Sequence, residues 1–320
     1  MKKVNVYKEK KKMTADYAKI KKIVIGQNER MGWLTKIGLL SLLVIVGFIY
    51  VYPVLYMISA SFKDVSDLVN ASVQWIPTRV YTGNFLRAYE VLDYFPSLFQ
   101  TILVSVTPAL IQMVVCAFVG YGFAVYHFKG KTLMLGLVIF TFIVPPQITL
   151  IPRYMLFNRL GILDSLLAYL VPATFGQGIN SGIFILIFYQ TFRTLPKVLL
   201  EAARLDGAGE LKIFRLIGIP SGLPGFLTTF LFSLVWYWNE TYLASVYFGE
   251  RLTTLPLQLQ KFVASYNNLF PSQGDNPLTS MNEGIELAAT LLTILPLLII
   301  YFVTQKWFVE SMDKSGITGE

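Results

Sequence analysis

Residues 201–208 bring together Glu201, Ala202, Ala203, Arg204, Leu205, Asp206, Gly207 and Ala208, and Ile219 and Pro220 follow shortly after. The segment lies between long apolar runs, where a chain made only to sit in lipid needs no more than a short turn. Its chemistry is that of contact. Glu201 offers a carboxylate for a charge-assisted hydrogen bond, Ala202 and Ala203 allow close approach, and Gly207 supplies a turn that a side chain would strain. Pro196 stands where the first turn of a helix tolerates its missing N–H, and Gly207 where a left-handed residue ends a helix and reverses the chain. The spacing predicts a short helix, a tight turn and a second helix, presented as a docking surface for something in the cytosol.

For covalent chemistry the chain is poorly equipped. His127 is the only histidine and Cys116 the only cysteine, so a metal site built from those ligands is out of reach and no disulfide framework exists. A Ser-His-Asp hydrolase would have to use His127, which sits beside Phe128, Lys129, Gly130 and Lys131 in what reads as a short cytosolic turn. An interfacial residue is the simpler reading. No Gly-x-x-x-x-Gly-Lys-Ser/Thr run occurs, so energy for any pumping must come from another polypeptide. We expect no catalytic residue and no metal.

Polar groups inside the apolar runs form a second set. Gln177, Asn180 and Ser181 fall at helical i, i+3 and i+4, and Gly178 lies four before Gly182. On one continuous helix they make a small, polar stripe, read either as tight helix packing or as pore lining. Further on, Trp236, Tyr237, Trp238 and Tyr242 surround Asn239 and Glu240. These are either an aromatic belt whose polar members reach headgroups, or the lining of a solute pathway near its outward end. Pro172, and Pro145 with Pro146, break backbone hydrogen bonding within apolar runs, as architecture or as gate hinges.

The elements that position these groups are membrane spans. Hydrophobic residues make up 54% of the chain and charged residues 14%, against about 25% charged in a soluble domain. Apolar segments long enough for the roughly 20 residues of a crossing fall at 37–59, 101–126, 132–151, 166–188, 223–248 and 285–308. Six spans put both ends on one side. Glu286 and Lys306 lie at the two ends of the sixth segment, where water can reach them. The net charge of +8 is concentrated in residues 1–36, where Lys2, Lys3, Lys8, Lys10, Lys11 and Lys12 begin a basic tail. A tail of this kind directly before a span reads as cytosolic and drawn to anionic membrane lipid, not to nucleic acid. Loops 127–131 and 193–215 are basic and expected inside, whereas 63–100 and 249–282 are nearly balanced and expected outside.

Residues 201–220 resemble the EAA loop of ABC importer permeases: Glu201, Ala202, Ala203 and Gly207 match its pattern, and Ile219-Pro220 stands where Leu-Pro is usual. Asn158-Arg159-Leu160-Gly161, Phe192-Arg193-Thr194-Leu195-Pro196, Arg204-Leu205-Asp206-Gly207-Ala208 and Trp238-Asn239-Glu240 are similar to the carbohydrate-importer, MalG-like branch of that family. The likeness runs over 101–308; the first hundred residues match loosely, and residues 313–320 depart from the family's Ala-Gly-rich ending. The resemblance implies an all-α polytopic membrane protein with six transmembrane helices, a permease core over 101–308, and an EAA-type coupling helix within 193–222. It implies that Glu201, Ala202, Ala203, Asp206, Gly207 and Ala208 contact an ATPase, and that Gln177, Asn180, Ser181, Trp238, Asn239, Glu240 and Tyr242 belong to a sugar pathway. The implied partners are a second permease subunit in a heterodimer, two ATPase subunits and an extracytoplasmic solute-binding protein that delivers a carbohydrate, foremost an oligosaccharide. This chain would bind no cofactor, ATP and Mg being held by the ATPases, and would lie in the bacterial plasma membrane with both termini cytosolic. The alternative is an ion-coupled secondary transporter, which needs carboxylates near the midplane and repeated bundles that the spans do not offer.

Overall fold

The computed structural model describes residues 26–27, 30–271 and 280–314. Most of the basic tail, part of the loop 249–282 and the end of the C-terminal tail lie outside the described residues. After a short antiparallel pair, β1 (Gly26–Gln27) with β2 (Arg30–Met31), the chain is helical. It runs through α1 (Trp33–Ser61), α2 (Val65–Val69), α3 (Gly83–Val91), α4 (Tyr94–Val125), α5 (Lys131–Ile143), α6 (Pro146–Leu160), α7 (Leu167–Thr174) and α8 (Ser181–Arg193). α9 (Lys197–Leu205) and α10 (Glu210–Ile213) precede a π-helical turn, Phe214–Gly218, that runs into α11 (Ile219–Asn239). α12 (Tyr242–Tyr247), α13 (Leu255–Gln260), α14 (Phe262–Leu269) and α15 (Glu283–Lys314) follow.

α4 is the axis of the fold. Ser97, Thr101, Ser105, Ala109, Gln112, Cys116 and Gly120 recur every three or four residues and are buried, so small and polar groups line one face while Phe95, Phe99 and Phe118 stay exposed on others. The Thr101 and Ser105 hydroxyls donate back to the carbonyls of Ser97 and Thr101, and the Thr101 hydroxyl also accepts from the Leu255 N–H at 2.8 Å. Small residues let neighbouring backbones approach: a Cβ on Gly120 would lie 2.5 Å from Phe188 Cβ and 2.9 Å from the Tyr189 backbone nitrogen. Phe184, Phe188 and Phe192 of α8 fill the groove so formed, together with Tyr121 and Phe214. Lipid is as apolar as these rings, so close fit, not burial as such, favours the pairing. α1 has no polar face and packs mainly on α15; residues such as Leu40, Leu43, Phe48 and Ile49 are exposed all round it.

Loops gather at two ends. At one end Tyr56 donates to Glu283 at 2.9 Å, the Asp164 N–H to the Tyr247 carbonyl at 2.8 Å and the Thr253 N–H to Gln100 at 2.7 Å. There Asn84 donates to the carbonyls of Ser61 and Lys63, and Asp64 accepts from the Ser66 hydroxyl and the Asp67 N–H. The Ser66 hydroxyl first, then the Asp67 amide, hold the Asp64 carboxyl below the usual carboxylate range. At the opposite end Tyr126 donates to Glu210 at 2.6 Å. Loops 126–131 and 193–210 therefore share one face, as the charge pattern expects.

The spans are less regular than hydropathy predicts. Among the described residues four helices are long and apolar enough to cross, and up to six crossings result if the bent pairs α5–α6 and α8–α9 each count as one. The expected span 132–151 is not straight: α5 stops at Ile143, and α6 leaves at 95° because Pro145 and Pro146 lack the N–H that would continue the ladder. The expected span 166–188 is interrupted after α7, where Gly176 and Asn180 take φ of 69° and 55°. The expected span 223–248 ends at Asn239, and α12 restarts two residues later. α5 and α8 each have 13 residues. At about 1.5 Å per residue each is about 20 Å long, short of a core about 30 Å thick.

Candidate functional site

α9 starts after Pro196 and diverges from α8 by 77°. It ends in a Schellman motif: the Ala208 N–H donates to the Ala203 carbonyl and the Gly207 N–H to the Arg204 carbonyl, both at 3.0 Å, with Gly207 at φ 75°. The expected helix, turn and helix are therefore present. Of α9 only Leu200 is buried, whereas Val198, Ala202 and Leu205 at i, i+4 and i+7 form an outward apolar stripe, Val198 73% and Leu205 89% exposed. Glu201, Asp206 and Gly207 are exposed beside it, and Ala203 and Ala208 are half-buried beneath.

This exposed helix is tied to the bundle by polar contacts. Arg204 Nε donates to Glu210 Oε1 at 2.9 Å, and the Tyr126 hydroxyl donates to Glu210 Oε2 at 2.6 Å, so one carboxylate joins α9, α10 and the end of α4. Burial and then the bond to Glu210 push the Tyr126 phenol up to about 12. Beneath, Phe214 stacks on Phe118 at 4.6 Å and meets Tyr121 edge-on at 5.0 Å. The π turn then carries the chain without a break into α11, so residues 210–239 form one helical rod of 30 residues. Glu210 and Tyr126 were not singled out in the sequence; the signal was a carboxylate six residues beyond Arg204, opposite the other basic loop.

Gln177, Asn180 and Ser181 do not share one helical stripe. Residues 175–180 form a break: Gln177 is exposed in it, left-handed Asn180 precedes α8, and only Ser181 is helical, buried with its hydroxyl unpaired among the described residues. Tight packing holds at the glycines instead. A Cβ on Gly178 would lie 2.5 Å from both Gln112 Oε1 and Tyr237 Oη, and one on Gly182 2.9 Å from the Val138 carbonyl of α5. The break is held by Gln112, missed in the sequence although it is the lone amide in the middle of α4. Gln112 Nε2 donates to the Ile179 carbonyl at 2.6 Å, Tyr237 donates to Gln112 Oε1 at 2.8 Å, and the Ile179 N–H donates to Tyr237 Oη at 3.2 Å. Beside this node, a space of about 10 Å³ lined by Arg153, Tyr169, Gln177 and Tyr247 has room for about one water.

At the end of α11 the aromatic group divides. Tyr237 and Trp238 are 2% exposed and buried in separate clusters, Trp238 against Leu92, Leu255, Phe262 and Ile285, so neither belongs to a lipid belt. Asn239 is exposed and donates to the Val235 carbonyl; Glu240 accepts from the Leu243 N–H at 2.8 Å and so caps α12. Tyr242 is exposed. Among the described residues no group of His, Cys, Asp and Glu could hold a metal ion.

The family described as "Binding-protein-dependent transport system inner membrane component" matches residues 113–314. Among individual relatives, the arabinooligosaccharides transport system permease protein AraQ of Halalkalibacterium halodurans is 27% identical over 90% of this chain and 97% of that protein. The polygalacturonan/rhamnogalacturonan transport system permease protein YtcP of Bacillus subtilis is 27% identical over 87% and 96%. Among solved structures, a chain of a bacterial ABC transporter involved in the import of the acidic polysaccharide alginate superposes with a TM-score of 0.69 at 22% identity, covering 86% of this chain and 96% of that one.

Proposed function

This chain belongs to the family of binding-protein-dependent transport system inner membrane components, and on that premise we propose that it is one transmembrane subunit of an ATP-driven ABC importer for carbohydrate, with an oligosaccharide as cargo. The observation that carries the reading is α9: an exposed apolar stripe, Val198, Ala202 and Leu205, on a helix held to a 30-residue rod by Arg204, Glu210 and Tyr126. Exposed leucines on a helix pinned by an ion pair suit a partner protein better than water. Glu201 adds a carboxylate for a charge-assisted bond at the rim. ATPase subunits dock on this face, which puts it in the cytosol together with both termini.

Transport then follows from rigidity. When the ATPases close on ATP, the displaced α9 turns the rod 210–239 and the helices packed on it, which is rigid-body alternating access. ATP and Mg stay with the ATPases. A second permease subunit supplies the other wall of the pathway, and a solute-binding protein delivers sugar at the opposite end. The pathway is lined by the break at 175–180, because non-helical backbone at membrane depth is stable only where protein buries it or water reaches it, and Gln177 is exposed there. Asn239, Glu240 and Tyr242 close its outer end, while Trp238 supports that end from inside the subunit.

Ala202→Asp tests the docking face. An unpaired carboxylate in the middle of the stripe weakens the contact by about 2 kcal/mol or more once desolvated. Affinity purification through this chain should recover ATPase and second-permease chains with the parent and at least tenfold less ATPase with the variant. Equal recovery of the ATPase would sink the reading.

A further inference from the structure

The molecule carries a second feature beside α9 that ATPase docking does not use. A cavity of about 610 Å³ lies where α4 and α8 end and α5 and α9 begin. Its wall includes Lys131, Arg193, Lys197 and Arg204 against a single carboxylate, Glu201. Arg204 is neutralised by Glu210, and Lys131 donates to the Tyr126 carbonyl at 3.1 Å. Lys131, Arg193 and Lys197 form no ion pair among the described residues. Two of them gather at Tyr189: the Lys131 ammonium and the Arg193 guanidinium are each 5.8 Å from its ring centroid.

Cations spread over a solvated face need no ligand, but here three from different elements converge on one concave space. Val125, Phe192 and Leu200 add apolar surface to the wall, and His127 also lines it. A cavity of this size whose wall combines several cations with apolar side chains fits a small amphiphilic anion. Guanidinium and ammonium groups bind phosphate oxygens through short charge-assisted hydrogen bonds. The site lies at the ends of α4 and α8, two of the apolar helices.

We propose that this cavity binds a phosphate group, carried by an anionic phospholipid or by a soluble phosphate ester, and that its occupancy braces α9 against α4 and α8. The site belongs to this chain's own fold and holds whether or not α9 carries an ATPase.

The test uses the assembled complex, delipidated in detergent and supplied with phosphatidylglycerol, phosphatidylcholine or glycerol phosphate, with retained ligand read by native mass spectrometry. The parent should retain phosphatidylglycerol at least tenfold better than phosphatidylcholine, and the double variant Lys131→Gln with Arg193→Gln should lose that preference. Arg193→Lys, which keeps the charge, and Lys129→Gln, which lies outside the cavity, should both keep it. Retention of glycerol phosphate to the same extent assigns a soluble source; retention of the lipid alone assigns a headgroup. Should the double variant fail to assemble, Lys131→Gln alone decides, with a loss of threefold or more expected. Equal retention of both lipids by the parent, or an undiminished preference in the charge-neutralised variant, overturns the proposal.

Discussion

Gly120 and Gly207 are glycines for opposite reasons, and their substitutions should fail differently. At Gly120 the obstacle is a neighbour: a methyl group would meet the α8 backbone and Phe188 within 3 Å. Gly120→Ala should therefore push α4 from α8 and cost about 1–3 kcal/mol as an overpacked contact. Thermal unfolding in detergent should show a lowered midpoint. At Gly207 nothing lies within 4 Å, and only the φ of 75° excludes a side chain. Gly207→Val should cost about 1–3 kcal/mol and tilt α9, lowering ATPase stimulation. Gly207→Asn, which tolerates the left-handed region, should restore coupling. If Asn and Val behave alike, the turn is not what matters.

At the scale of elements, the spans are broken where sugar could pass and continuous where force would travel. The break at 175–180 stays in place because Gln112 and Tyr237 satisfy both polar groups of Ile179. Gln112→Leu would leave the Ile179 carbonyl without its donor and the Tyr237 hydroxyl without its acceptor, and cost about 1–3 kcal/mol. Hydrogen exchange should then accelerate at Ile179 and Ser181 ahead of the rest of α8; unchanged protection there would mean that the node does not hold the break. Much of this organisation was legible in the sequence. The turn at Gly207, the start after Pro196 and the rough places of the apolar runs follow from local rules, because φ preference and hydropathy act over a few residues. The break was hidden for a physical reason: Gln177, Asn180 and Ser181 keep helical spacing, but two left-handed residues, Gly176 and Asn180, interrupt the helix that would have aligned them. The burial of Trp238 was hidden too, since its partners come from α3, α13, α14 and α15, remote in the chain.

For the whole molecule, the two ends of the bundle must face opposite compartments. In a Cys116→Ala background, Ser72→Cys and Lys129→Cys probe exposed residues at the two ends. An impermeant thiol reagent outside intact cells should label Ser72→Cys and spare Lys129→Cys, and the reverse pattern would invert the chain in the membrane. The central claim, an ATP-driven carbohydrate importer, is tested most directly in sealed vesicles that hold this chain with its ATPase and second permease subunits. Uptake of a labelled oligosaccharide should require ATP on the side of Lys129 and a binding protein on the side of Ser72, and should persist when ion gradients are collapsed. Uptake that proceeds without ATP and stops with the ion gradient would contradict the account and make the chain a secondary transporter.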